Sequence, residues 1–170
     1  MEDTAKHIAE GLRKAIQDEN DAHYFYRMAA GNTTDPKGRE TFNTLAEEEL
    51  KHRKFLEAQY KSVIESGAVD MSIRLGVPVK FDRDNPVFTP DLRERIAKVD
   101  FEMAALSVGM QLELNAIQHY RAMAEEAQDP QLKGFFTELV AWETGHYEAL
   151  SRQEELLKED FWSSAGFAPF

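Results

Sequence analysis

Apolar residues recur at three- and four-residue intervals in four stretches of the chain, the spacing that buries one face of a helix. The first stretch runs from about Thr4 to Ala30 and places Ile8, Leu12, Ala15, Ile16, Glu19, Ala22, His23 and Tyr26 on one stripe. Gly31-Asn32 is a helix-ending pair. The second helix is expected to open at Asp35-Pro36, a capping acid with proline in the first turn. It continues through Phe42, Leu45, Glu49, His52 and Leu56 and stops near Gly67. The third carries Leu106, Gly109, Met110, Glu113, Ala116, Ile117 and Tyr120, starting at Asp100 or as early as Thr89-Pro90. The fourth opens at Asp129-Pro130, carries Phe136, Leu139, Glu143, His146 and Leu150, and is expected to fray around Asp160.

Residues 67–90 break the pattern. They hold Gly76, Pro78, Pro86 and Pro90 among the β-favouring Val77, Val79, Val87 and Phe88. At about 24 residues the stretch is longer than the usual link between adjacent helices. An all-α fold follows, a four-helix bundle of two hairpins joined by a crossover along its length. A short strand pair or a lid is the alternative reading of residues 67–90. The bundle is expected to occupy residues 1–160, leaving 161–170 as an aromatic C-terminal tail that docks on the bundle or on a partner subunit.

Four of the stripes include acids. Glu19 lies between Ile16, Ala22 and Tyr26, and Glu113 between Met110, Ala116 and Tyr120, so both face the core. The two halves repeat at a shift of 94: Glu19 matches Glu113 (113 − 19), Glu49 matches Glu143 (143 − 49) and His52 matches His146 (146 − 52). Tyr26, Phe42, Leu45 and Leu56 match Tyr120, Phe136, Leu139 and Leu150 at the same shift. Each half thus offers a lone Glu on one helix and Glu-x-x-His on the next. Glu and His three apart on a helix lie about 60° apart around its axis, on one side. Four buried carboxylates without compensation would cost several kcal/mol each, or take up protons. Two divalent cations balance them. A buried salt-bridge network is the competing reading, but the inner stripes supply no Lys or Arg.

The oxygen and nitrogen donors favour two ions of iron or manganese, with zinc possible and calcium disfavoured. Glu49 and Glu143 are expected to bridge the ions, Glu19 and Glu113 to cap one each, and His52 and His146 to bind one each. Six residues leave positions open, as reaction with dioxygen or peroxide requires. Tyr26 and Tyr120 are either hydrogen-bond donors to the ligand carboxylates or core aromatics. His23, whose repeat mate is Ile117, reads as a core or supporting histidine; Glu47 and Glu48 read as surface acids; His7 and His119 fall off the pattern.

The net charge of −11 repels nucleic acid and anionic lipid, so neither is an expected partner. No Cys is present, which excludes disulfides, thiol catalysis and cysteine-held metal centres within these residues. No apolar run approaches a membrane span and no leader follows Met1, so a soluble cytoplasmic protein is expected.

Ala15-x3-Glu19-x2-Ala22-x3-Tyr26, Glu49-x2-His52, Glu113-x2-Ala116-x3-Tyr120 and Glu143-x2-His146 together resemble the ferritin-like superfamily, and within it the rubrerythrins, over about residues 4–160. The doubled Glu plus Glu-x-x-His set is the ligand arrangement general to ferritin-like di-iron carboxylate bundles. The resemblance implies a di-iron centre that reacts with hydrogen peroxide or dioxygen and oxidises ferrous iron, as a peroxidase or ferroxidase; non-catalytic iron binding or sensing is the alternative. It also implies a homodimer. Rubrerythrins proper carry a rubredoxin-like domain with one iron on four cysteines, so a chain without Cys needs an external electron donor. They also commonly have a further Glu three residues after the third-helix ligand, where this chain has Ala116.

Overall fold

A computed structural model describes residues 2–77, 88–89 and 100–164. It shows four helices, α1 Glu2–Asn32, α2 Pro36–Ser66, α3 Asp100–Glu126 and α4 Pro130–Ser164, and no strand among the described residues. α1 packs along α2 and α3 along α4, and α1 meets α3 between the two hairpins. No described helix is long and apolar enough to cross a membrane.

The hairpin turns follow from their capping residues. Asp35 stays extended, and its carboxylate accepts from the Gly38 amide at 2.8 Å, satisfying a donor that the first turn leaves unpaired. Its repeat mate Asp129 accepts from the Gln131 amide at 2.7 Å. α2 ends where Gly67 takes φ 79°, a conformation open to glycine at little cost, and its amide reaches Val63 O at 2.9 Å.

Two apolar clusters occupy the core, and the repeat explains their make-up. Tyr26, Phe42 and Leu45 of the first half pack with Leu106 and Leu150 of the second. Their mates Tyr120, Phe136 and Leu139 pack with Leu12 and Leu56 in the other cluster. Exchanging the halves therefore exchanges the clusters, as a pseudo-twofold axis through the middle of the bundle requires. Each of these side chains is almost wholly buried, which contributes about 1.5–3 kcal/mol per large apolar residue.

The crossover is fastened at both of its described ends. Buried Gln59 on α2 donates to Asp70 O at 2.9 Å and accepts from the Asp70 amide at 2.8 Å. At the far end Phe88 is buried against Gly38, where a Cβ would meet its ring at 2.5 Å, and the Thr89 amide and hydroxyl donate to Asp35. Asp35 thus caps α2 with one oxygen and holds the returning chain with the other. No strand forms in residues 67–77 or 88–89; residues 78–87, which include Val79 and Val87, lie outside the described residues.

Two boundaries need comment. α3 is described from Asp100, and the earlier start at Thr89-Pro90 falls on residues 90–99, outside the described set. α4 does not fray at Asp160 but continues to Ser164, taking the first four residues of the expected tail into the helix. Leu150, Gln153 and Leu157 keep its inner face buried beyond the ligand region, so the packing that sustains the helix extends further than the ligand motif suggests. Residues 165–170 lie outside the described residues.

Candidate metal centre

Between the two apolar clusters the stripes turn polar. Glu19, Glu49, His52, Glu113, Glu143 and His146 are all buried, none more than 3% exposed. Glu49, His52, Glu143 and His146 each present one donor atom, all within 4.8 Å of one another. His52 Nδ1 lies 3.1 Å from Glu143, 3.3 Å from Glu49 and 3.7 Å from Glu19. His146 Nδ1 lies 3.0 Å from Glu49, 3.4 Å from Glu143 and 3.7 Å from Glu113. Glu49 and Glu143 therefore each face both imidazoles, whereas Glu19 and Glu113 each face one. The His52 and His146 rings stack at 5.4 Å.

This cluster is poorly satisfied by the protein alone. Both oxygens of Glu49, both oxygens of Glu143, and both ring nitrogens of His52 are buried without an aligned hydrogen-bond partner. Buried polar atoms rarely remain so. Six inward donors of mixed oxygen and nitrogen type, sharing one small volume, suit one or two transition-metal ions. The residues present fit such a group.

Without an ion the cluster balances its charge with protons. Burial, reinforced by the Glu143 charge, raises Glu19 well above the usual carboxylate range. Burial and the Glu49 charge push Glu113 up to about 8. Burial alone would raise Glu49 and Glu143 too, but His146 holds Glu49 well below the ordinary value and His52 holds Glu143 below it. The histidines move the other way: against burial, Glu143 raises His52 and Glu49 raises His146, both well above the usual imidazole value. The shifts favour protons on Glu19, Glu113 and the two imidazoles and disfavour them on Glu49 and Glu143, the direction that lowers net charge in a dry interior.

Tyr26 and Tyr120 are hydrogen-bond donors to the acids. The Tyr26 hydroxyl donates to Glu113 and the Tyr120 hydroxyl to Glu19, each reaching into the other half of the repeat. Burial, then the charge of the acceptor, holds both phenols well above their ordinary value, so each remains a donor. A buried donor that can point at only one carboxylate oxygen leaves the other free for an ion. Gly109 makes room for this: a Cβ there would meet the Tyr26 hydroxyl at 3.1 Å.

A rubrerythrin family model matches residues 10–154, a span containing both hairpins and all six residues. The chain belongs to the rubrerythrin family. No curated protein and no solved structure matches it at a significant level. The rubrerythrin fold here is the all-α, ferritin-like four-helix bundle, and its buried Glu/His cluster is a candidate metal site.

Other readings fared unevenly. His23 is no ligand in this geometry: its Nδ1 lies 2.6 Å from Ala46 O, tying α1 to α2. His119 similarly contacts Gly11 O at 3.0 Å, and His7 pairs with Glu126 at 2.6 Å on the surface. Glu47 is exposed, but Glu48 is not the surface acid its neighbours suggest; it is 1% exposed, with Lys51 Nζ 2.5 Å from Oε1. Its repeat mate is Trp142, also buried, whose ring meets His52 edge-on at 5.1 Å. A position matched to tryptophan packs inward in both halves, and that match was the available signal.

Proposed function

We propose that this rubrerythrin holds two iron ions and oxidises ferrous iron with hydrogen peroxide or dioxygen, drawing electrons from an external donor. Glu49 and Glu143 would hold both ions, Glu19 with His52 one, and Glu113 with His146 the other. The observation that carries the proposal is the convergence of four buried acids and two buried imidazoles, with neither oxygen of Glu49 or Glu143 in an aligned hydrogen bond, inside a family-matched bundle. When bound, the iron supplies the redox chemistry.

The protein's own part is holding and proton handling. Tyr26 and Tyr120 fix the orientation of Glu113 and Glu19 from across the bundle. Binding of cations competes with protons at Glu19, Glu113, His52 and His146, whose proton affinities are raised above their ordinary values in the metal-free cluster. The apolar clusters on either side keep bulk water from the acids. The 170 residues contain no cysteine, so an electron donor with a thiolate-held iron would be a separate centre. A homodimer is the assembly that the family resemblance implies.

The test is anaerobic loading with ferrous iron followed by mixing with peroxide and, in parallel, with oxygen. Oxidation by either at two irons per chain, with turnover on adding a reductant, supports the reading. Stoichiometric iron without turnover would instead make it a binding or sensing protein.

A further inference from the structure

The acids of the centre approach the outside along one seam. A cavity of about 190 Å³ lies between α1 and α3, and buried Glu19, Glu113 and Glu49 line its inner part. Glu49 comes from α2 yet faces this space, and neither of its oxygens has an aligned hydrogen bond. Exposed Asp21 and Asn115 line the outer part. Between them stand Ala22 and Ala116, mates in the repeat, one from each wall. The cavity therefore straddles the pseudo-twofold axis.

Among the described residues the other side of the centre is closed. His52 and Glu143 have no exposed surface, and Trp142 covers His52. Beyond them Phe55 of α2 and Phe135 of α4 stack at 5.6 Å. Large rings fill the α2–α4 side where single methyl groups line the α1–α3 side.

We propose that the α1–α3 cleft is the path by which a hydrated divalent cation reaches the centre, with Ala22 and Ala116 setting its bore and Asp21 at its mouth. The proposal rests on the two-ion reading of the cluster. Its physical basis is direction: the acids become more buried from exposed Asp21 through Glu19 and Glu113 to Glu49, whose oxygens lack an aligned hydrogen bond, so a cation meets successive carboxylate ligands as it sheds water. Lys14 pairs with Asp18 on the rim, which leaves Asp21 as the rim acid not offset by a lysine.

Uptake of cobalt(II) by the metal-free full chain, followed by competition with a metallochromic indicator in a stopped-flow instrument, tests the route. Ala22→Leu and Ala116→Leu should each slow uptake about tenfold, equivalent to ~1.4 kcal/mol of barrier, while still reaching two ions per chain. Gln118→Leu, on the exposed face of α3, should load at the wild-type rate. Asp21→Lys should also slow uptake, and added salt should reduce that effect by screening the new charge. Being exposed, Asp21 tolerates substitution, so this variant decides if the leucine variants fail to fold. Wild-type rates in both the leucine and lysine variants, with two ions bound, would overturn the route alone. A wild-type chain that never reaches two ions would instead overturn the reading beneath it.

Discussion

Around the centre the two halves of the chain agree to within about 0.1 Å: His52 Nδ1 stands 3.1, 3.3 and 3.7 Å from its three acids, and His146 Nδ1 3.0, 3.4 and 3.7 Å from theirs. Elsewhere some matched positions differ. Glu48 faces the inside where the second half has Trp142, and Gly38 makes room for Phe88 where the second half has buried Leu132. The agreement extends from the atoms that would share ions to the two matched apolar clusters beside them. The differences fall where one half must accommodate the crossover or a different neighbour. Chemistry that needs two equivalent positions preserves the repeat together with the core that supports it, and positions with unlike surroundings do not.

Breaking the inner agreement should have the largest effect. Glu49→Ala and Glu143→Ala are expected to abolish two-ion binding equally, because each carboxylate faces both imidazoles. Calorimetric titration with a divalent cation reads this directly; a large inequality between the two would deny the pseudo-twofold. Breaking an outer difference should leave ion binding intact. Phe88→Ala is expected to cost about 3–5 kcal/mol of stability, as large-to-small changes of a buried phenylalanine do, without changing ion stoichiometry. Denaturant unfolding alongside metal analysis separates these outcomes.

A third expectation concerns pH. Folding raises Glu19, Glu113, His52 and His146 above their unfolded values, so the folded metal-free chain binds more protons than the unfolded chain. Its stability should therefore fall as pH rises above about 4.5 and through about 8, where Glu113 gives up its proton. Glu49 and Glu143 are depressed, and their contribution is instead lost as pH falls through the acid range. With ions bound these groups are already deprotonated, and the alkaline loss should disappear. Melting curves of both forms between about pH 5 and 8.5 check the sign. Glu19→Gln and Glu113→Gln should each remove a similar part of the alkaline decline.

The smallest effect sharpens the comparison most finely. Tyr26→Phe and Tyr120→Phe remove one hydroxyl each from matched positions. Each should weaken cation binding by about tenfold, the low end for loss of a group that orients a ligand. Matched losses support the crossed arrangement, whereas an effect from one tyrosine alone would argue for a core role in the other.

The periodicity of Leu12, Phe42, Leu106 and Phe136 was enough to place four helices and their inner faces, because core burial imposes that spacing directly. The ligand cluster was legible for a different reason: acids on an apolar stripe have few explanations, and the shift of 94 removed most of those. Which tyrosine meets which glutamate was not legible, since the donation crosses between halves and depends on how α1 lies against α3. Glu48 was misread because Glu47-Glu48-Glu49 looks like a solvated run, and only packing decides which members turn inward. The end of α4 was misread because Gln153 and Leu157 extend the buried face past the last ligand.

The central claim is that the buried cluster exchanges protons for two cations. Its most direct measurement is the proton count on anaerobic ferrous loading at pH 7 in weak buffer, with bound iron counted in the same sample. Two irons per chain and a net release of protons are expected, drawn from Glu19, Glu113, His52 and His146, whose proton affinities are raised in the metal-free cluster. No tight iron, or iron bound without proton release, would contradict it.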